Sequence, residues 1–190
     1  MSRFENDINE CVAVLKKGGI ILYPTDTIWG IGCDATNEKA VLKIYSLKER
    51  VETKSLIILL AEEKDISLYA KTPTEVIKEN WKDFLEPLTV IYPDARNLAA
   101  SLIQEDKTIA IRIVRDEFCK ELIHAFGKPI VSTSANISGK VSPENFDAID
   151  HKIKNGVDFI VQHRREDYAF CKPSRILKWD GNDEIAVIRE

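Results

Sequence analysis

The chain has 190 residues, 44% of them hydrophobic and 31% charged, with a formal net charge of −4. That is one domain's length of chain, with enough apolar residues for a sizeable core. No apolar run approaches the ~20 residues of a bilayer-spanning helix, and a domain built mainly to bind nucleic acid would show the opposite, basic balance.

The first residues lack a basic segment followed by an apolar one, which argues against a signal peptide and for a cytoplasmic address. Cys11, Cys33, Cys119 and Cys171 are scattered, with no Cys-x-x-Cys spacing. They read as reduced small hydrophobes rather than zinc ligands or a disulfide scaffold.

In chain order, Phe4, Ile8, Cys11, Val12 and Leu15 repeat at helical spacing, and Gly18-Gly19 stops the helix. Residues 20–23 read as a buried strand ended by Pro24. Gly30 and Gly32 permit a close backbone approach. Asn37 caps a helix carrying Ala40, Val41, Ile44 and Tyr45, which delivers Lys48, Arg50 and Lys54 just past its end. A strand over 55–60 precedes helices over 62–70 and 74–85, the second with Pro73 at its start. Then come a strand over 88–92, a weak helix over 97–103 and a strand over 108–114. Arg112 interrupts that last apolar strand, so it must reach an edge or meet an anion. A buried ion pair with Asp26 or Asp34 is its structural alternative.

A helix over 117–126, stopped by Gly127, leads into a short strand over 129–131. The polar run Ser132-Thr-Ser-Ala-Asn-Ile-Ser-Gly139 follows. Small hydroxyl residues at the carboxyl end of a strand bring donors close to a ligand, and N–H groups in a tight turn can form an anion nest. A short helix starts at Pro143-Glu144, a strand covers 157–161, and 163–172 is a polar loop. Residues 174–177 and 185–189 pair as strands about the turn Asp180-Gly-Asn182. The order of elements describes an α/β domain with a twisted, mixed parallel and antiparallel open sheet flanked by helices, a single unit over 1–190.

Four segments recur in a known order: Tyr23-Pro-Thr-Asp-Thr-Ile-Trp-Gly-Ile-Gly32, Lys48-Glu-Arg50 with Lys54, Ala110-Ile-Arg112 and Ser134-Ala-Asn-Ile-Ser-Gly139. In this order they resemble the YrdC-like family of threonylcarbamoyl-adenylate synthases, over nearly the whole chain from about Gly18 to Arg189. The resemblance implies that L-threonine, bicarbonate and ATP are joined with release of pyrophosphate, Mg2+ accompanying ATP. The product would pass to a downstream transferase that modifies tRNA. It implies a polyphosphate clamp of Arg50 and Lys54 with Lys48 close by. Thr108, Ser134, Ser142 and Arg189 face the nucleotide, and Thr27, Arg112, Ser132 and Ser174 face threonine. Arg suits bidentate phosphate and carboxylate binding, whereas Lys acts as a point charge.

Val51, Ser55 and Glu86 stand where family members favour Pro, Pro and Gly, and Leu59 where some carry His. These changes alter loop stiffness near the clamp. An RNA-binding module is the main alternative, with tRNA bound at most weakly. A P-loop kinase is disfavoured, because no Gly-x-x-x-x-Gly-Lys-Ser/Thr motif is present. His124, among Leu122, Ile123 and Phe126, reads as structural. Trp29, Trp81 and Trp179 read as core or rim residues, because no aromatic-basic interleaving surrounds them.

Overall fold

The structure, a computed structural model, describes residues 3–50, 56–82, 86–168 and 172–190. Among the described residues there are six helices: α1 (Glu5–Lys16), α2 (Glu38–Leu47), α3 (Ile66–Tyr69), α4 (Glu75–Lys82), α5 (Glu117–Phe126) and α6 (His151–Gly156). Their ends follow local chemistry. Asn37 and Asp116 accept backbone N–H groups of α2 and α5 through their side chains, and Gly127 closes α5 in the left-handed region at φ 77°.

The strands are β1 (Ile21–Tyr23), β2 (Gly30–Gly32), β3 (Ile57–Leu60), β4 (Leu88–Tyr92), β5 (Ile109–Ile113), β6 (Ile130–Ser134), β7 (Phe159–Ile160), β8 (Arg175–Trp179) and β9 (Ile185–Arg189). They form a nine-stranded sheet in the order β7-β1-β2-β6-β3-β5-β4-β8-β9. The pairs β1/β7, β3/β5 and β4/β8 are parallel, the rest antiparallel, as the interleaved pattern of elements requires.

Alternation along the strands assigns the two faces. Leu22, Ile31, Ile58, Leu60, Ile109, Ile111, Val90 and Leu177 point into the larger core, where α2, α6 and the segments around Ile66 and Ile77 pack. Ile21, Tyr23, Leu59 and Ile130 point the other way and are covered by α1 and α5. Among the described residues, none from β4, β8 or β9 joins this second core. The helical cover therefore stops near β3, whose Ile57 still packs against it, and Arg112, Thr89 and Ile176, which align across β5, β4 and β8, share the face beyond it.

Several local readings change. Gly30 to Gly32 is a strand rather than a loop, because β1 and β6 pair with it on both sides. The serines of the polar run extend β6 to Ser134. The weak helix over 97–103 reduces to a 3-10 turn, Ala100–Leu102, and that over 62–70 to a turn followed by the single helical turn α3. No helix begins at Pro143. The helix starts at His151, where the Asp150 side chain caps it through Lys152 N. Residues 83–85, the end of the helix expected over 74–85, lie outside the described residues, as does the Trp81 side chain. Trp29 and Trp179 are core residues. His124 is exposed and sits 3.4 Å from Glu62. Among the described residues, no helix is long and apolar enough to cross a membrane.

Candidate functional site

A cavity of about 240 Å3 opens where the second helical layer ends. Thr27, Arg50, Arg112, Ser132, Ser134, Ser142, Ser174 and Arg189 supply its polar lining, and Ile28, Gly30, Leu56, Ile57, Pro173 and Ile176 most of the rest. No carboxylate lines it among the described residues. Three guanidiniums and a set of hydroxyls around so small a volume suit a ligand with several negative groups.

Each side chain reaches the cavity for a local reason. The sequence Gly-Ile-Gly in β2 sends Ile31 into the main core and leaves the opposite face bare beside Ser134, the register partner of Gly30. A Cβ at Gly30 would lie 3.3 Å from Ser132 Oγ, and one at Gly32 would lie 2.7 Å from Val131 O and from the Tyr23 ring. Arg112 is buried on β5 with 3% exposure. Its Nη1 donates to Thr27 Oγ1 at 3.0 Å, and Nη2 lies 3.3 Å from Asp26 Oδ1. The Nε–H has no hydrogen-bond partner. Asp34, the other candidate for Arg112, pairs instead with Lys128 at 2.8 Å.

Arg50 owes its direction to the end of α2. Glu49 is left-handed at φ 51°. Arg50 N then reaches back to Tyr45 O at 2.9 Å and Glu49 N to Ser46 O at 3.1 Å, the paired bonds of a Schellman stop. On the far wall, Arg189 donates through Nε and Nη2 to Ser174 O at 3.0 and 2.6 Å, and Ser174 Oγ bonds Thr89 Oγ1 at 2.8 Å. Burial lowers the pKa of both Arg50 and Arg189, and the nearby Arg112 charge adds to the effect on Arg189. The positive field of the three guanidiniums favours an anionic ligand.

Lys48 does not line the cavity. It is 1% exposed, and its Nζ donates to Ser134 O, to Asn136 O at 2.7 Å and to Asn136 Oδ1 at 3.4 Å. Burial, with a smaller contribution from Arg50, pushes its pKa down to about 7. Lys48 thus pins the polar run that forms one cavity wall. That run is not an open anion nest. The N–H groups of Ala135, Asn136, Ser138 and Lys140 all bond protein carbonyls, Ser138 N taking Lys48 O at 2.8 Å. What it offers the cavity are the hydroxyls of Ser132, Ser134 and Ser142.

Thr108 is not brought into this cavity. It precedes β5, donates its hydroxyl to Asp106 Oδ1 at 2.6 Å and lines a second cavity of about 660 Å3 with Ile91, Ala110 and Lys178. Strand alternation nevertheless puts Thr108, Ala110 and Arg112 on one face of β5, spanning about 13 Å. Lys54, Val51 and Ser55 lie outside the described residues. Two residues join the site that the sequence did not single out for binding: Asn136, whose Ser-x-Asn spacing is visible, and Arg164, whose contact with Thr25 O carries no sequence signal.

A family model named Sua5/yciO/yrdC, described as Telomere recombination, matches residues 13–190. The threonylcarbamoyl-AMP synthase of Psychromonas ingrahamii is 36% identical over 140 residues, 70% of this chain and 72% of that protein. That of Hahella chejuensis is 34% identical over 170 residues, 89% of this chain and 91% of that protein. P. abyssi Sua5, solved in complex with L-threonine, superposes with a TM-score of 0.80 at 26% identity. The match covers 92% of this chain and 51% of that one, so the chain spans about half of the P. abyssi protein. Joined to the mixed sheet and the cation-lined cavity, these matches mean that the chain belongs to the Sua5/YciO/YrdC family.

Proposed function

We propose that the protein synthesises threonylcarbamoyl-AMP from L-threonine, bicarbonate and ATP, releasing pyrophosphate, and so supplies a downstream transferase that modifies tRNA. The observation that carries this is the convergence of Arg50, Arg112 and Arg189 on one hydroxyl-lined cavity without a lining carboxylate among the described residues. Further support comes from the name of the bacterial relatives, threonylcarbamoyl-AMP synthase, and from the threonine complex of P. abyssi Sua5.

The division of labour follows from position. Arg112, with Thr27, Ser132 and Ser174 around it, takes the amino-acid carboxylate. Arg50, Arg189, Ser134 and Ser142 take the phosphates, with Lys54 joining them. The nucleoside lies along the uncovered face of β5 towards Thr108. Bicarbonate takes up a proton and loses water to give CO2, which the neutral threonine amine captures as a carbamate, giving up a proton. A carbamate oxygen attacks the α-phosphorus, and the bond to the β,γ-pyrophosphate breaks. The nucleophile is already anionic, so holding like charges together and spreading charge on the leaving group matter more than a protein base. Mg2+ bound to ATP would neutralise phosphate charge. The donor set suits an ion carried by phosphate oxygens, because hydroxyls and no carboxylate line the cavity among the described residues.

The test is pyrophosphate release with ATP, L-threonine and bicarbonate each omitted in turn. Turnover with serine, or with no amino acid, refutes the threonine assignment. An RNA-binding module is disfavoured by the net charge of −4 and by cations held inside a small cavity rather than along a stripe. Synthesis strictly dependent on tRNA would reverse that preference.

A further inference from the structure

Behind the amino-acid wall of the cavity lies a chain of contacts that ends on a residue remote from the ligand. The Thr25 hydroxyl donates to Ile28 O at 2.8 Å and lies 2.9 Å from Thr27 Oγ1. A hydroxyl has one proton. With that of Thr25 given to Ile28 O, the Thr27 hydroxyl must donate to Thr25 Oγ1. Thr27 Oγ1 also accepts from Arg112 Nη1 at 3.0 Å. Its proton is used, so Thr27 can meet a ligand only as an acceptor. The backbone beneath is held as well, since Thr27 N donates to Thr25 Oγ1 at 3.0 Å.

The Thr25 carbonyl accepts from Arg164 Nη1 at 3.0 Å. Arg164 is held from several sides. Its Nε donates to Asp167 Oδ2 at 2.9 Å, and Nη1 lies 3.5 Å from Asp116 Oδ2, on the residue that caps α5. Gln162 N and His163 N are fixed by Asp7 at 3.0 and 2.9 Å. Arg164 itself is left-handed at φ 63°, a conformation a non-glycine residue keeps only where its surroundings impose it. Arg164, Thr25 and Thr27 are among the residues lining a small cavity of about 20 Å3.

We propose that Arg164 is a positioning residue for amino-acid binding: through the Thr25 carbonyl it sets the Thr25–Thr27 hydroxyl relay, so that Thr27 faces the ligand as an acceptor for a hydroxyl or ammonium proton. The inference rests on the threonine assignment above. The neighbouring Arg165 provides the control. It also bonds backbone carbonyls, those of Val161 and Ile160 at 2.8 and 2.6 Å, but does not reach the Thr25–Thr27 segment.

The experiment measures L-threonine and ATP affinity by calorimetry, with steady-state kinetics, for the wild type, Arg164→Met, Arg165→Met, Thr25→Val and the Arg164→Met/Thr25→Val double variant. Arg164→Met should weaken threonine about ten-fold and leave ATP within about two-fold, since small misplacements of a binding group are expensive. Arg165→Met should change melting temperature but not this ratio. The double variant should be no weaker than the worse single variant. Equal threonine affinity in Arg164→Met and Arg165→Met, or full additivity, overturns the proposal. If Arg164→Met does not fold, Arg164→Lys decides. A lysine presents one nitrogen where Arg164 uses two, Nε on Asp167 and Nη1 on Thr25 O, so wild-type threonine affinity overturns the idea and a several-fold loss supports it. A wild type that does not bind threonine refutes the functional assignment itself, a different outcome from a binding wild type with an unaffected Arg164 variant.

Discussion

Replacing Lys48 by Met keeps the apolar stem and removes the Nζ donor that pins the cavity wall. Two consequences can be worked out. The folded pKa of Lys48 is about 7 against an ordinary 10.5. Between those values the unfolded chain binds one proton more than the native one, so wild-type stability rises with pH across the window and gains nothing below it. At about 1.4 kcal/mol per pH unit the full rise is about 5 kcal/mol. The Lys48→Met variant lacks this rise. The buried thiols of Cys11, Cys33 and Cys119 act in the opposite sense at high pH, because burial raises their pKa. The difference between the two proteins cancels them. The second consequence is local. Ser134 O and Asn136 O lose their donor, at about 1–3 kcal/mol for each carbonyl left unpaired, and the wall carrying Ser134 and Ser142 loosens. Urea unfolding of both proteins from pH 6.5 to 9, beside ATP calorimetry at pH 8, measures both effects. Parallel stability curves, or unchanged ATP binding in the variant, would refute the reasoning.

Other substitutions separate binding from folding. Arg112→Ala should cost about 2–5 kcal/mol in threonine binding and little in ATP binding, and Arg50→Ala the reverse; calorimetry with each ligand distinguishes them. Gly32→Ala should destabilise by about 1–3 kcal/mol, since its Cβ would meet backbone and ring atoms at 2.7 Å. Gly30→Ala should melt near the wild type yet weaken amino-acid binding, because its Cβ would enter the cavity 3.3 Å from Ser132 Oγ. Glu49→Gly should raise stability by up to about 1 kcal/mol, read from denaturant midpoints, by relieving the left-handed residue. The exposed contact with Lys152 that it gives up is worth little.

Helices with a cap and a stop were legible before folding. Asn37, Gly127 and the apolar spacing of α5 declare themselves within ten residues of sequence, whereas the Asp116 cap shows only in the structure. The strands were legible where runs such as 57–60 and 88–92 are apolar. β2 was not, because Gly-Ile-Gly has no strand propensity of its own and becomes a strand through pairing on both edges. The start of α6 was misplaced because Pro143 offers an acceptable first turn, while the cap that wins is Asp150. At the site, the residue types were readable and the division of labour was not. Lys48 and Arg50 look alike in a charged run, yet the helix stop between them turns one under the wall and the other into the cavity. Arg164 was hidden because its partner, Thr25, is 139 residues away.

The second helical layer, ending near β3, also predicts an uneven resistance to opening. The half of the sheet around β1, β2, β6 and β3 is sandwiched between two cores, whereas β4, β8 and β9 rest on one, with Val187 and Ile188 58% and 55% exposed on the edge strand. Cooperative units with fewer buried contacts open at lower free energy. Amide protons of β8 and β9 should therefore exchange well before those of β6 and β3. A ligand seated against Arg112 and Ile176 would stand in for the missing layer, so bound ligand should slow exchange in β4 and β8 most. The part of the molecule that recognises the substrate would then also be the part whose rigidity depends on it.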